Sequence, residues 1–84
     1  MIFVLEQCPY CKKALYSLEE LQKEEPYQAM EFEIIEETQQ KEIADSYDYY
    51  YVPSIFYNGN KLHEGALEKE ELKAVLDAIL SSNE

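Results

Sequence analysis

Residues 2–11 read IFVLEQCPYC, an apolar run of four residues followed after a short gap by Cys8 and Cys11. These are the two cysteines of the 84-residue chain. Cysteines three apart lie on one face at the start of a helix, where they can close a small disulfide without unfolding the chain. Proline is favoured at the first helical position because its missing N–H would have no partner there. The stretch therefore predicts a short buried strand and a helix that begins at Pro9.

The rest of the chain divides into five further elements by its apolar spacing and turn residues. The order β-α-β-α-β-β-α predicts an α/β domain with three helices and a four-stranded mixed sheet, parallel at the first crossover and antiparallel at the final hairpin. The predicted strands are residues 2–5, 30–35, 52–57 and 60–64, with a turn at Asn58-Gly59 between the last two. The predicted helices are residues 9–24 and 38–47, the second capped by Thr38. A last helix is predicted from the apolar positions Leu72, Val75, Leu76, Ile79 and Leu80.

Length and charge narrow the class of protein. A chain of 84 residues has room for one domain, which we expect to span residues 1–84. The net charge of −11 disfavours nucleic acid and anionic membrane as partners. Because no secretory leader or long apolar run stands out, we expect a soluble, monomeric protein of the cytoplasm. A lone C-x-x-C in such a protein more often does redox work or binds metal than forms a structural framework.

The position of the two thiols assigns them different roles. Cys8 is expected at the helix amino terminus, where unpaired N–H groups and the dipole favour the thiolate. A larger lowering of its pKa would need local hydrogen bonds and Lys12 or Lys13 as well, and Glu6 acts against it, so the sequence leaves the pKa of Cys8 open. Cys11 is expected to be more buried, one turn further on, and to act as the resolving thiol. The other interpretation of the pair is a static disulfide or two inert thiols.

The motif and its surroundings resemble a known family. A Cys-Pro-Tyr-Cys tetrapeptide at the first strand-to-helix junction, followed by Val52-Pro53 at the start of a strand and then by a hairpin and a helix, resembles the thioredoxin superfamily over nearly the whole chain. The tetrapeptide is similar to that of dithiol glutaredoxins, whereas the tail from Tyr57 to Leu72 looks more like a thioredoxin. The resemblance implies a thioredoxin/glutaredoxin-like fold and a thiol–disulfide oxidoreductase that cycles between the Cys8–Cys11 disulfide and the dithiol.

The resemblance also implies where a substrate would bind. The proline that matches Pro53 is cis in these families and faces the nucleophile, which would leave the Val52 backbone free to pair with an extended substrate. Tyrosine offers a large contact area with a polar tip, so the run that ends at Tyr51 could line a groove, with at least one of its rings in the core. We expect substrate contacts from Pro9, Tyr10, Tyr51, Val52 and Pro53. His63 is assigned no role, and Lys61 and Lys69 are interpreted as surface charges, with contact to an anion as the other interpretation.

The Cys-Pro-Tyr-Cys motif alone does not identify the electron donor. Glutaredoxins that bind glutathione carry a lysine where this chain has Leu5, and a Gly-Gly-x-Asp-like turn where it has Glu64-Gly65-Ala66-Leu67. Thioredoxins often bury an acid where Ile2 stands. We therefore expect no tightly bound cofactor, protein or small-molecule disulfides as substrates, and a partner reductase as the electron donor, with glutathione as the other reductant to consider.

Two other classes of function use the same residues. The thiolates could belong to a metal or iron–sulfur binding module, although zinc prefers four ligands and this chain has one histidine and no second C-x-x-C. We therefore assign no metal-binding residues. The remaining alternative is a redox-silent scaffold that has kept the cysteines.

Overall fold

The computed structural model describes residues 1–82 and contains the predicted elements in the predicted order. One short 3₁₀ turn is added between the first helix and the second strand. The predicted domain of residues 1–84 stays a prediction, since its last two residues lie outside the described part. The elements are β1 (Ile2–Val4), α1 (Pro9–Leu21), the 3₁₀ turn (Tyr27–Ala29), β2 (Ile34–Glu36), α2 (Lys41–Asp45), β3 (Ser54–Tyr57), β4 (Asn60–Glu64) and α3 (Lys69–Ser82).

The four strands form one mixed sheet in the order β2-β1-β3-β4. Strand β1 pairs in parallel with β2, with Ile2 opposite Ile34, and antiparallel with β3 on its other side. Strands β3 and β4 form the antiparallel hairpin. Its turn residues Asn58 and Gly59 both have positive φ, 51° and 81°, as a two-residue hairpin turn that follows the strand twist requires. The predicted mixed sheet with three helices is confirmed.

Successive side chains of β1 point to opposite faces of the sheet, and the core accordingly has two parts. Ile2 and Val4 pack with buried residues of α1 and α3, while Phe3 points to the opposite face of the sheet. There Phe3 contacts the rings of Tyr47 and Phe56, at centroid distances of 4.9 and 5.5 Å. The strand is thus buried on both faces, which explains its uninterrupted apolar sequence.

Helix α1 is shorter than predicted: it ends at Leu21, not at residue 24. The apolar repeat stops at Leu21, which is 1% exposed, so the following residues have nothing to pack against the core. The backbone N–H groups of Lys23 and Glu24 bond to carbonyls only three residues back, the pattern of a tightening last turn. Pro26 then disfavours any further helix, because proline has no backbone N–H to donate.

The second strand is also shorter than predicted, covering Ile34–Glu36 in place of residues 30–35. Its partner β1 has only three residues, so the chain before Ile34 finds no strand to pair with. Met30 is held instead by a side chain, because Gln22 Nε2 donates to its carbonyl at 2.6 Å.

The predicted cap of α2 is wrong. The helix spans Lys41–Asp45, with Gln40 at the N-cap position and no side-chain capping bond. Thr38 is occupied elsewhere: its N–H donates to Glu36 Oε1 at 2.7 Å and its hydroxyl donates to the same carboxylate. Such a local side-chain turn competes with a cap.

The third strand starts later than predicted. It begins at Ser54, opposite Phe3, so that the predicted first residues 52 and 53 precede the pairing. None of the helices described within residues 1–82 is both long and apolar enough to cross a bilayer.

Candidate functional site

Cys8 stands at the junction between β1 and α1, at the N-cap position of the helix. The tight turn that delivers it is closed by a 3.1 Å bond from the Cys8 N–H to the Leu5 carbonyl. The cysteine is half-buried, so its sulfur can be reached from solvent. One helical turn later, Cys11 is buried at 1% exposure among core residues. The two thiols are both free, and only one of them is open to a substrate.

The environment of Cys8 favours its thiolate. Burial is the largest single influence and raises the pKa, but the Cys11 N–H, the Cys11 thiol and the Tyr10 N–H act together in the other direction. The net result is a pKa of Cys8 below its ordinary value. These donors lie at the amino end of α1 and stabilise the ionised sulfur more than the neutral thiol.

The environment of Cys11 favours its protonated form. Burial raises the pKa of Cys11 to about 11, with further increases from the hydrogen bond to Cys8, the Cys8 charge and the Glu37 charge. One contribution opposes these: the backbone N–H of Leu5 donates to Cys11 Sγ at 3.5 Å. The pKa values of the two thiols therefore differ strongly, and the reactive thiolate forms on the accessible sulfur of Cys8.

The nearby lysines do not lower the pKa of Cys8, although the sequence led us to expect a contribution from them. Lys12 and Lys13 are both exposed, and neither contributes to the lowered pKa of Cys8. Lys13 Nζ instead pairs with Glu68 at 2.9 Å, linking α1 to the segment before α3. The lowering of the Cys8 pKa thus comes from local hydrogen bonds, one of the two contributions expected from the sequence, and not from a nearby cation.

A shallow groove of about 410 Å³ lies beside the nucleophile. Its acidic side chains are Glu6 and Glu36, and the Glu36 carboxylate is fixed by the two bonds from Thr38. The residues that line it are Leu5, Glu6, Gln7, Cys8, Glu36 and Thr38, none of which carries a positive charge.

The segment before β3 brings Val52 to the same core cluster as Cys8. Both residues are partly buried and pack against the cluster that contains Cys11. Pro53 is fully buried, and the Val52–Pro53 peptide bond is cis, as the resemblance implied. The Pro53 carbonyl accepts a 2.9 Å bond from the Gly65 N–H. Among residues 1–82, no hydrogen bond engages the backbone N–H or carbonyl of Val52.

Comparison with known families agrees with this arrangement. The sequence profile described as Thioredoxin domain matches residues 1–77. This chain belongs to the thioredoxin-domain family. No curated protein and no solved structure gave a significant match. The thioredoxin-like fold that the sequence predicted is thereby confirmed, and two nearby cysteines in a thioredoxin domain fit a redox role.

The tyrosines of this thioredoxin domain separate into two groups. Tyr10, Tyr50 and Tyr51 are 59%, 84% and 70% exposed. Tyr49 stacks on Phe3 at 4.9 Å, confirming that one ring of the run lies in the core. Tyr10 follows the exposed Pro9 in the first turn of α1, one residue from the second cysteine. The predicted substrate-binding residues therefore comprise two exposed rings, an exposed proline and the Val52-Pro53 segment.

One residue near the site had no signal in the sequence of the thioredoxin domain. Glu64, at the end of β4, accepts hydrogen bonds from the N–H groups of Tyr50 and Tyr51, the latter at 2.9 Å. The residues are more than a dozen positions apart, and only the hairpin brings them together. His63 Nε2, by contrast, lies 3.1 Å from the Gly65 carbonyl at the end of the hairpin and has no contact with the thiols among its hydrogen bonds.

Within residues 1–82, no three histidine, cysteine, aspartate or glutamate side chains converge so as to hold a metal ion. A cluster would therefore need ligands from outside the two thiolates.

The unequal pKa values predict single-site alkylation of the native protein. At about pH 7, iodoacetamide is expected to modify Cys8 at least about tenfold faster than Cys11, because the thiolate is the reacting species. The Cys8 rate should rise with pH to a midpoint below about 8.5, the value of an ordinary cysteine. Peptide mapping after timed quenching measures both rates, and the unfolded chain in denaturant is the control, with equal labelling. Equal rates in the native protein, or faster modification of Cys11, would contradict the assignment.

Proposed function

We propose that this thioredoxin-domain protein is a dithiol–disulfide oxidoreductase in which Cys8 is the nucleophile and Cys11 the resolving thiol. One observation carries the proposal: a half-buried thiol of lowered pKa stands one helical turn from a fully buried thiol of raised pKa. Neither two inert thiols nor a static disulfide requires two thiols with such different pKa values.

The first half-reaction uses the accessible sulfur. The Cys8 thiolate attacks one sulfur of a substrate disulfide, the substrate S–S bond breaks, and its other sulfur leaves as a thiolate that takes a proton from water. The product is a mixed disulfide between Cys8 and the substrate.

The second half-reaction is prepared by the first. A mixed disulfide at Cys8 removes both the Cys8 charge and the thiol hydrogen bond that raise the pKa of Cys11. Cys11 then ionises more readily, loses its proton to solvent and attacks Cys8 Sγ, which expels the second substrate thiolate. The substrate has gained two electrons and two protons, and Cys8 and Cys11 form a disulfide. An external dithiol returns the pair to its reduced form.

Substrate binding is proposed for the surface around the nucleophile. The unpaired Val52 backbone can bond to an extended peptide, and the rings of Tyr10 and Tyr51 are exposed and offer further contact area. Pro9 and Pro53 shape the two segments that carry these groups.

For the electron donor, we propose a partner protein rather than glutathione. Glutathione carries a net negative charge at neutral pH, whereas the groove beside Cys8 carries Glu6 and Glu36 and no cation. Leu5 stands where a glutathione-binding lysine would be expected. The proposed location is the cytoplasm, a reducing compartment in which the oxidised pair can be returned to the dithiol.

Turnover of a peptide disulfide tests this function. Insulin reduction by dithiothreitol should be accelerated by catalytic amounts of the protein, and glutathione as sole donor should support it poorly. Absence of acceleration with every donor would reject the proposal and favour a metal-binding or redox-silent role.

A further inference from the structure

Two successive N–H groups of the loop that precedes the Val52-Pro53 segment donate to one carboxylate. Residues Tyr50 and Tyr51 belong to no helix or strand, yet both of their N–H groups donate to Glu64 Oε2, with the Tyr51 bond at 2.9 Å. Two successive backbone donors on one charged acceptor fix the direction of both peptide planes. Glu64 therefore joins the end of β4 to the loop that leads into Val52.

The carboxylate is itself held in place. Lys61 Nζ pairs with the other oxygen, Glu64 Oε1, at 2.6 Å, and the Glu64 side chain is only 19% exposed. This lysine is the largest influence on the Glu64 carboxyl, and with the two N–H groups it lowers the pKa of Glu64 to about 2. The group thus stays ionised, and the bonds to the loop stay intact, at every pH where the thiols can react.

The loop is held from its other side as well. The Ser54 hydroxyl donates to the Tyr51 carbonyl, so that both backbone polar groups of Tyr51 have partners within the chain. The Pro53 carbonyl is engaged by Gly65. Val52 alone keeps an unengaged N–H and carbonyl in this segment, in the part of the chain that the structure describes.

We propose that Glu64 is a positioning residue for peptide substrates: its carboxylate fixes Tyr50 and Tyr51 so that the Val52 backbone is presented to the chain that carries the disulfide. This inference rests on the proposed oxidoreductase function and names its substrate class. Disulfides within an extended polypeptide would use Val52, whereas a small disulfide has no backbone to pair and would need Cys8 alone.

The substitution Glu64→Gln tests this, because it keeps the shape of the side chain and removes its charge. We expect KM for insulin to rise about fivefold to tenfold with kcat within about twofold, since a preorganised binding edge is lost and the thiols are untouched. KM and kcat for bis(2-hydroxyethyl) disulfide should not change. Hydrogen exchange at the Tyr50 and Tyr51 amides should become faster.

The matched control is Glu70→Gln, which changes the net charge equally at an exposed position in the first turn of α3. It should leave all these quantities unchanged. A second variant, Glu64→Asp, keeps the charge but shortens the side chain, and should show the same rise in KM if Glu64→Gln proves too unstable to assay.

Three results would overturn the inference. Unchanged KM for insulin despite faster exchange would show that loop order does not matter for binding. Equal losses with insulin and the small disulfide would assign Glu64 a purely structural role. Failure of the wild-type protein to reduce either disulfide would reject the proposed function itself, and the inference with it.

Discussion

Replacement of Cys8 by serine is expected to lower insulin reduction by at least about a thousandfold, to the uncatalysed rate. A serine hydroxyl does not ionise near neutral pH, and no other described thiol is accessible, since Cys11 is buried at 1% exposure. The helix donors that lower the pKa of Cys8 would then act on a group that cannot attack sulfur.

The measurement is the initial rate of insulin reduction with dithiothreitol, at equal concentrations of folded protein. Circular dichroism and the unfolding midpoint supply the control for structure, which the half-buried position of Cys8 should preserve. A Cys8→Ser protein that keeps more than about a tenth of the activity would show that Cys8 is not the nucleophile.

Replacement of Cys11 by serine is expected to have a different effect of comparable size. The variant keeps the Cys8 thiolate and can still attack, but it lacks the group that releases the mixed disulfide. In a single turnover without added reductant, nearly all of the chain should accumulate as an adduct with the substrate thiol, while the wild-type protein shows almost none. Intact-mass spectrometry of acid-quenched samples distinguishes these species.

The paired control for this experiment is Cys11→Ala, which avoids burying a hydroxyl in the site that Cys11 occupies in the core. Both variants should trap the same adduct on Cys8. Complete release of the substrate by either variant would mean that resolution does not depend on Cys11.

Much of the fold could be predicted because local signals and tertiary packing agree. Pro9 marks the start of α1, Asn58-Gly59 marks the hairpin turn, and the apolar spacing that includes Leu72 and Leu76 marks α3. Each signal depends on residues close in sequence, and each element also buries its apolar face.

The boundaries that were wrong depend on distant partners. Strand β2 is limited by the three residues of β1, which its own sequence does not reveal. Thr38 has the chemistry of a cap, but Glu36 takes both of its donors. In α1, the last turn is lost because none of residues 22–24 is buried.

The candidate site shows the same division. The sequence predicts Cys8 at the start of a helix and Cys11 one turn further on and more buried, and their unequal pKa values depend on these two positions. The pairing of Lys13 with Glu68 and the bonds of Glu64 to the tyrosine loop join residues far apart in the chain, so only the folded structure reveals them.

The most direct test of the account is a redox titration of the pair. The protein is equilibrated in buffers of graded ratios of reduced to oxidised glutathione, whose potentials cover the range of thioredoxin-type and glutaredoxin-type pairs. Each sample is quenched with an alkylating agent and its intact mass is measured by mass spectrometry. We predict two species only, a doubly alkylated dithiol and an unalkylated Cys8–Cys11 disulfide, which interconvert as a two-electron couple. Two cysteines that stay fully alkylated at every ratio, or that oxidise independently of each other, would contradict it.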